Sequence, residues 1–461
     1  MYQELLRDLT ESYLKSLIAD VSGSLHPDFD SSAPFGELGI NSFQVLKIIK
    51  KLESDFGVLP KSLLFENFNI NDLTGYFASK HEQVLCTKFA EQLERVNFAA
   101  PSNDRTHKPV EVPDEEKPAT ETLPVIIASE AAPIRILEKD AYQHPELGEL
   151  VQTLFSCYKR DSSVSLGTRK IAPNLFIGGE KRGYFNYGRS NKIILVYAYT
   201  GPLDYVPTLL EEIYRYCEAH DFQLNILADE EILAINGTPF TATPFGALQR
   251  IVQLKNFTLE GGAMRRLRYQ VSKFQDAGAC RTVEYRCGTD KKTDEEIVRI
   301  IDRWRQTKTM VNPLVDDARG AILAGTLSAE HRLFLTYLDD VLQNVILITA
   351  MSPEQNGYLM DLEFYPPEMP LGGLEFAIVR IIDALVAEGC DVLSLGGTYG
   401  CKLNSSVSAD PEIEKILDDL RAQKIFNEAG NLQFKNKFRP ENRTVYLCRP
   451  VGSGNPENVI D

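Results

Sequence analysis

The chain has no apolar run approaching the roughly 20 residues that span a bilayer, and its start, MYQELLRDLTESYL, lacks the basic flank and apolar stretch of a signal peptide. Its eight cysteines, at 86, 157, 217, 280, 287, 390, 401 and 448, form no CxxC pair, and no histidine lies near them at zinc-ligand spacing. They read as reduced, mostly buried thiols of a cytoplasmic protein, with no metal site expected. Positive charge is scarce too. A net charge of −16 argues against nonspecific nucleic-acid binding, DNA included, by the surface as a whole. It leaves room for a local basic patch, and an acidic small domain suits docking on basic partner surfaces.

What is present is ordinary for soluble globular protein, 43% hydrophobic and 25% charged. At 461 residues the chain exceeds one ordinary core, so two or three domains are expected. Residues 1–82 are helical in pattern. Residues 83–132 continue the helical pattern briefly and then become polar, with Pro101, Pro109, Pro113, Pro118, Pro124 and, just beyond, Pro133 punctuating the run. Such a stretch buries too little apolar surface to fold and reads as a semi-extended tether. From 133 to 461 strands and helices alternate (IILVYAYTG, LLEEIYRYCEAH, VILITAM, DVLSLGG), an α/β or α+β domain long enough for two lobes, roughly 133–280 and 281–461.

In the first zone Leu6, Leu9, Leu14, Leu17 and Val21 mark one helix. SFQVLKIIKKLESDF marks a second, with Val45, Ile48, Ile49, Leu52 and Phe56 on one face and Gly57 in the C′ position. KSLLFEN and NDLTGYFASKHEQVL complete four helices. Ser42 opens the second helix. It reads as a plain N-cap or as an attachment point, since a phosphodiester there would meet the helix's positive end and free amides. The surrounding Phe35, Leu38, Gly39 and Ser42 fit Phe-x-x-Leu-Gly-x-x-Ser, and the whole of 1–80 resembles the acyl and peptidyl carrier proteins. The resemblance implies covalent 4′-phosphopantetheine on Ser42, installed by a phosphopantetheinyl transferase, and dealings with thiotemplate synthesis enzymes. Asn41 departs from the Asp or His that many members place before the serine.

Two later segments are informative. In FTLEGGAMRRLRYQVSKFQDAG, residues 257–278, Leu267, Val271 and Phe274 form an apolar stripe beside Arg265, Arg266, Arg268 and Lys273, either a solvated face or a phosphate-binding surface. Residues 344–397 read as a hairpin turning at SPEQNG, a loop MPLGG, a helix and a buried strand. Gly372 and Gly373 would offer amides to a pyrophosphate or pantetheine chain, as in a GNAT acetyltransferase lobe. With FKNKFRPENRTVYL, these segments resemble the C-terminal domain of phosphatidylglycerol lysyltransferases, a double GNAT-like fold that moves amino acids from aminoacyl-tRNA. The resemblance spans roughly 170–450 and points to Asp361, Glu375, Arg265, Arg268, Lys435 and Lys437. Glu363 and Phe364 stand where the family has Met-Arg, so its arginine is missing. No membrane part accompanies the domain, so a lipid acceptor is not expected.

Joining an activated acyl group to an amine or thiol requires orientation, deprotonation of the nucleophile and support of an oxyanion. Asp361 is the candidate for binding an ammonium or taking its proton. Glu363 falls on the same face of an extended strand by period-two alternation. Glu375 completes the catalytic candidates or simply favours its helix dipole. Tyr365 and Tyr399 suit proton donation or packing. Arg265, Arg268, Lys435 and Lys437 would meet phosphate or the surface. The expected function is transfer of an amino acid, from aminoacyl-tRNA, to or from a group on the Ser42 arm in specialised-metabolite biosynthesis. The alternatives are a GNAT-type acyltransferase using acyl-CoA or a carrier-bound thioester, and a non-catalytic carrier-docking module.

Overall fold

A computed structural model describes residues 2–22, 28–33, 35, 38, 42–57, 59, 63, 67, 69–90, 132–190, 192–307, 314–422 and 428–452. The chain divides into two compact units, one ending at Pro124 and one spanning Val125–Val459. The expected tether and, apart from Leu63 and Asn67, the expected helix over 61–67 lie outside the described residues.

The first unit contains α1 (Tyr2–Ser22), α2 (Ser42–Phe56), α3 (Ile70–Lys80) and α4 (Glu82–Lys88). Leu6, Leu14, Leu17 and Ile18 of α1, Ile48, Ile49, Leu52 and Phe56 of α2, and Leu73 and Phe77 of α3 form one buried core. The Phe56 and Phe77 rings pack at a tilt, 4.4 Å apart. Gly57, at φ +76°, returns its amide to the Glu53 carbonyl and ends α2 as its sequence position foretells. One expected helix is really two. At His81 the backbone leaves the helical region (φ −128°, ψ 27°), so α3 stops and α4 restarts one residue later.

The second unit is built on one sheet of thirteen strands. Its strands are β1 (Ile134–Leu137), β2 (Asn174–Ile177), β3 (Tyr184–Ser190), β4 (Ile193–Thr200), β5 (Gln223–Ala228), β6 (Ala234–Ile235), β7 (Thr238–Val252), β8 (Cys280–Tyr285), β9 (His331–Leu338), β10 (Val341–Ala350), β11 (Gly357–Phe364), β12 (Val392–Tyr399) and β13 (Glu441–Pro450). Longer helices are α5 (Pro145–Tyr158), α6 (Val206–Ala219), α7 (Arg265–Gln275), α8 (Lys291–Gln306), α9 (Leu314–Ala324), α10 (Gly373–Ala387), α11 (Pro411–Ala422) and α12 (Glu428–Lys435). The spatial order is β1-β2-β3-β4-β5-β13-β7-β12-β11-β10-β9-β8, with β6 paired to β7.

This order reveals a repeat invisible in the residues. Each half is an antiparallel meander whose last strand feeds a helix and returns in parallel: β4–α6–β5 and β11–α10–β12. The final strand of each half then crosses over. β7, from the first half, pairs with β12, and β13, from the second, pairs with β5, while β7 and β13 pair with each other. A cut near residue 280 therefore does not separate the lobes. The helix before it, α7, already packs on α10 of the second half through Phe274 and Phe376, 5.3 Å apart.

Around β11 the two faces are covered differently. Met360, Leu393, Leu395 and Ile348 pack under α7 and α10, while Leu347, Leu362 and Phe364 pack under α8 and α9. Gly372 makes the first contact possible. It sits at φ +92°, and a Cβ there would fall 1.9 Å from the Gln270 carbonyl oxygen of α7. Gly372→Ala is expected to cost at least about 2 kcal/mol, since left-handed strain and backbone overlap add. Thermal unfolding checks it; an unchanged midpoint would refute the close packing.

Candidate functional site

Ser42 is the first residue of α2, a helix of 15 residues with no acid in its first turn. A phosphodiester there would meet the positive helix end unopposed by a carboxylate, so the position fits a phosphopantetheine arm. The acids further along α2 are engaged within the domain. Glu53 accepts the Leu59 amide at 3.2 Å, and Asp55 accepts the Tyr13 hydroxyl at 2.6 Å and pairs with Lys88. Lys50 and Lys51 are exposed. Lys51 in turn pairs with Asp20 at 3.4 Å, so the described charges of α2 beyond Ser42 are mixed.

In the transferase unit the parallel strands β11 and β12 pair only from Gly357–Val392 to Leu359–Ser394. Beyond that they part, β11 following β10 and β12 following β7. A bulge flanks the opening on each side. Pairing of β10 with β11 slips so that Asp361 is the extra residue, and pairing of β12 with β7 slips at Leu395–Gly396, where Gly396 takes φ +76°.

The helix–turn that follows α11 fills this opening from the α10 side. Lys435, the last residue of α12, donates to the Gly397 carbonyl at 3.0 Å and the Gly396 carbonyl at 3.4 Å. Burial pulls its pKa below the ordinary lysine value, and the charge of Glu363 works the other way. Lys437 pairs with Glu375 at 2.6 Å, both side chains largely buried. Burial raises the Tyr365 phenol, and Glu363 and Glu375 add to the rise. Glu363, Tyr365, Glu375, Lys435 and Lys437 therefore form one cluster. The lysines are not surface groups, and Lys437 is committed to Glu375.

Asp361 is elsewhere. The bulge breaks the two-residue alternation, and its side chain emerges on the opposite face from Glu363. There it accepts the Leu166 amide at 3.0 Å, the Ser165 hydroxyl at 3.2 Å and the Thr349 hydroxyl at 3.4 Å. Thr349 also meets His331 Nδ1 at 2.9 Å. Asp361 thus ties down residues 159–171, a strap also held by Asp161–Arg250 and by Lys159–Glu330 at 2.6 Å. The expected shared face for the two acids is corrected by that one extra residue. Phe364 is fully buried on the same side as Asp361, edge-on to Trp304 at 5.2 Å, so the arginine the resemblance leads one to seek has given way to apolar core.

The glycine loop also differs from expectation. Gly372 and Gly373 are buried, and the Gly373 amide donates to the Pro370 carbonyl at 3.2 Å. Their packing against α7 and Met369 explains them; an open amide cradle does not. Arg268 binds the Leu259 and Gly261 carbonyls and so fastens its own loop, whereas Arg265 is exposed. Tyr399 is half exposed beside Phe245, 5.8 Å away. Sequence reasoning missed the strap, Thr349 and His331, which no local pattern marks.

Helices crossing between parallel strands that part at their ends define a GNAT-like transferase, here joined to a carrier domain. The comparisons agree. Residues 159–449 match the model of the phosphatidylglycerol lysyltransferase C-terminal family, and 12–77 match that of the phosphopantetheine attachment site. The chain belongs to the phosphatidylglycerol lysyltransferase C-terminal family. Its fold is similar to that of L-PGS from Bacillus licheniformis, at 16% identity over 68% of this chain and 95% of that one, with TM-score 0.51. It is likewise similar to the C-terminal domain of a putative lysylphosphatidylglycerol synthetase from Agrobacterium fabrum, at 16% identity over 68% and 93%, with TM-score 0.50. The polyketide synthase PksL of Bacillus subtilis is 36% identical over 84 residues, 18% of this chain and 2% of that protein. The protein is a transferase with a carrier domain that holds phosphopantetheine on a serine and calls for a phosphopantetheinyl transferase. No described helix is long and apolar enough to cross a membrane.

Burial pushes the Asp361 carboxyl from its ordinary 3.8 up to about 6, against the pull of its hydrogen bonds. The folded protein holds a proton there between these values that the unfolded chain has released. The associated stability is complete below pH 3.8 and lost as pH rises to about 6. Asp361→Asn should therefore gain on the parent by about 2 kcal/mol between pH 4 and pH 7 in denaturant unfolding. A pH-independent difference would contradict the buried placement.

Proposed function

We propose that the protein transfers an aminoacyl group, from aminoacyl-tRNA, to or from a group carried on Ser42, and that the opening between β11 and β12 is its catalytic cleft. The observation that supports this best is the Glu363–Lys435–Tyr365 cluster beside the Glu375–Lys437 pair, where the parallel strands part. The likeness of an 84-residue stretch to a polyketide synthase supports a place in thiotemplate biosynthesis. Phosphopantetheine, when attached, supplies a thiol on a long arm that holds an acyl group as a thioester.

The residues divide the work. Lys435 spends two N–H donors on the Gly396 and Gly397 carbonyls. In its neutral form, which burial favours, the lone pair remains to take the nucleophile's proton and pass it to the leaving hydroxyl. Glu363 offers a carboxylate to an ammonium group. Tyr365, kept protonated, is a donor for the developing oxyanion. The buried Glu375–Lys437 pair fixes the start of α10 against the turn that carries Lys435. Two charges taken from water are costly unless paired, so this pair positions rather than reacts.

The acyl-CoA alternative would use the same cleft, but its usual pyrophosphate loop is closed here by the packing of Gly372 and Gly373. Intact-protein mass spectrometry after co-expression with a phosphopantetheinyl transferase should show the arm's mass, and Ser42→Ala should abolish it. With the arm in place, Lys435→Ala should slow transfer by about 100-fold or more and flatten the rise of rate with pH. Unchanged turnover in Lys435→Ala and Glu363→Gln would leave the unit a docking module. Product formation that survives ribonuclease would exclude tRNA as donor.

A further inference from the structure

The strap over β11 divides at Ser165 into two parts that are held differently. Residues 159–164 are anchored in the core. Asp161 pairs with Arg250, the Lys159 carbonyl accepts the Ser352 amide at 2.9 Å, and the buried Val164 packs with Phe155, Met351 and Leu359. The helical turn that follows, Leu166–Ile171, has no buried residue, and Ile171 at its end is 50% exposed. Its ties are polar. The Leu166 amide and the Ser165 hydroxyl donate to Asp361, Arg169 pairs with Glu138, and Lys170 pairs with Asp317 at 2.8 Å on open surface. An exposed ion pair adds at most about 1 kcal/mol, and a segment with few buried apolar contacts is the first to open. Asp361 is therefore the main fastening of this turn to the sheet.

Behind that fastening stands a second shared proton. Thr349 has one hydroxyl hydrogen and two neighbours, Asp361 Oδ2 at 3.4 Å and His331 Nδ1 at 2.9 Å. With Asp361 ionised, the hydroxyl points to the carboxylate and His331 donates from Nδ1. With Asp361 protonated the chain reverses, the carboxyl donating to Thr349 and Thr349 to an unprotonated Nδ1. One arrangement of atoms thus serves both states, and the half-buried His331 is its outer end. The charged groups around it are paired: Lys159 with Glu330, Asp161 with Arg250, Arg169 with Glu138 and Lys170 with Asp317. From the α8 side Asp361 has the apolar Trp304 and Phe364. Burial lowers the His331 pKa, with Glu330 opposing and Arg169 and Lys159 assisting.

We propose that residues 165–171 form a lid over the Asp361 bulge, latched while Asp361 is protonated and released when its proton leaves through Thr349 and His331. Asp361 hands its proton to Thr349 Oγ1, Thr349 hands its own to His331 Nδ1, and the imidazole releases one from Nε2 to water. The direction follows from where the charge is better placed. Under a closed lid the carboxyl is dry, which disfavours its ionised form, and an open lid returns it to water. A neutral carboxyl still accepts the Leu166 amide through its carbonyl oxygen. Burial outweighs the three donors, so the closed lid is favoured at low pH and loses that advantage as pH rises from 3.8 to about 6. An open lid bares Asp361 on the face of β11 opposite Glu363. That this admits a substrate rests on the reading of the cleft given above; the latch itself does not.

The test is hydrogen exchange of the full-length protein read by mass spectrometry, expressed as protection factors so that the intrinsic effect of pH on exchange divides out. Protection over residues 165–172 should lie at least about 100-fold below that of β10 and β11, the mark of local opening. It should fall a further tenfold or about that from pH 5 to pH 8 and level off above pH 7. Asp361→Asn, neutral and still an acceptor for the Leu166 amide, should keep the pH 5 protection throughout. Thr349→Val removes a donor to the carboxylate and the relay with it, so the fall should move to higher pH, and Thr349→Ser should restore the parent profile. Melting curves at pH 5 show that the variants fold; should Thr349→Val fail, His331→Phe carries the same comparison. Protection that ignores pH in the parent overturns the inference, as does an equal fall in Asp361→Asn or a turn as protected as the sheet. A Thr349→Val profile like that of the parent overturns it too. A pH-sensitive lid in a protein that transfers nothing keeps the inference and sinks the cleft reading. Transfer that Lys435→Ala slows, beneath a lid indifferent to pH, does the reverse.

Discussion

The parting of β11 from β12 is the constraint on which the transferase unit depends. Two parallel strands that stop pairing after three residues would leave backbone amides and carbonyls exposed in a core. Each strand instead finds a partner on its outer side, and the hole between them is lined by polar groups from elsewhere. Lys435 is the clearest: its ammonium satisfies two glycine carbonyls that the missing pairing leaves. The same contacts pull a lysine into a dry place and lower its pKa. The fold's own need for a donor therefore brings a lysine of lowered pKa into the opening.

The exchange of β7 and β13 explains why the opening persists. A GNAT-like lobe with only its own strands would have an edge beside the parted pair. Here β7 from the first half covers β12, and β13 from the second covers β5, so neither opening has a free edge on that side. The bulges at Asp361 and Gly396 set the curvature on each side. Each lobe is completed by the other, which leaves little scope for the halves to fold apart.

Much of this was legible in the residues, and what was not has physical causes. The first two carrier helices followed from apolar spacing, and the hairpin at SPEQNG from turn residues between strands. The charged candidates Glu363, Glu375, Lys435 and Lys437 do come together. The shared face of Asp361 and Glu363 failed because a bulge shifts alternation by one, and nothing in LMDLEF marks the extra residue. The glycines of MPLGG were assigned to a ligand, whereas the close approach of α7, over 90 residues earlier in the chain, accounts for them. The break at His81 and the strap at 159–171 depend on tertiary contacts that no local window contains.

Phe364 gives its side of β11 an apolar character. An arginine on that side of β11 would put a fixed positive charge under α8, close to Asp361. Phe364 packs edge-on to Trp304 there, and burial pushes the Asp361 carboxyl toward its protonated form. One residue earlier the sequence adds the opposite charge on the opposite face, where Glu363 answers Lys435. The described charge on this stretch of β11 thus lies on the side where a carboxylate, Glu363, favours a cationic group. On the reading proposed above, this suits an ammonium-bearing substrate brought by the arm on Ser42 better than an anionic lipid.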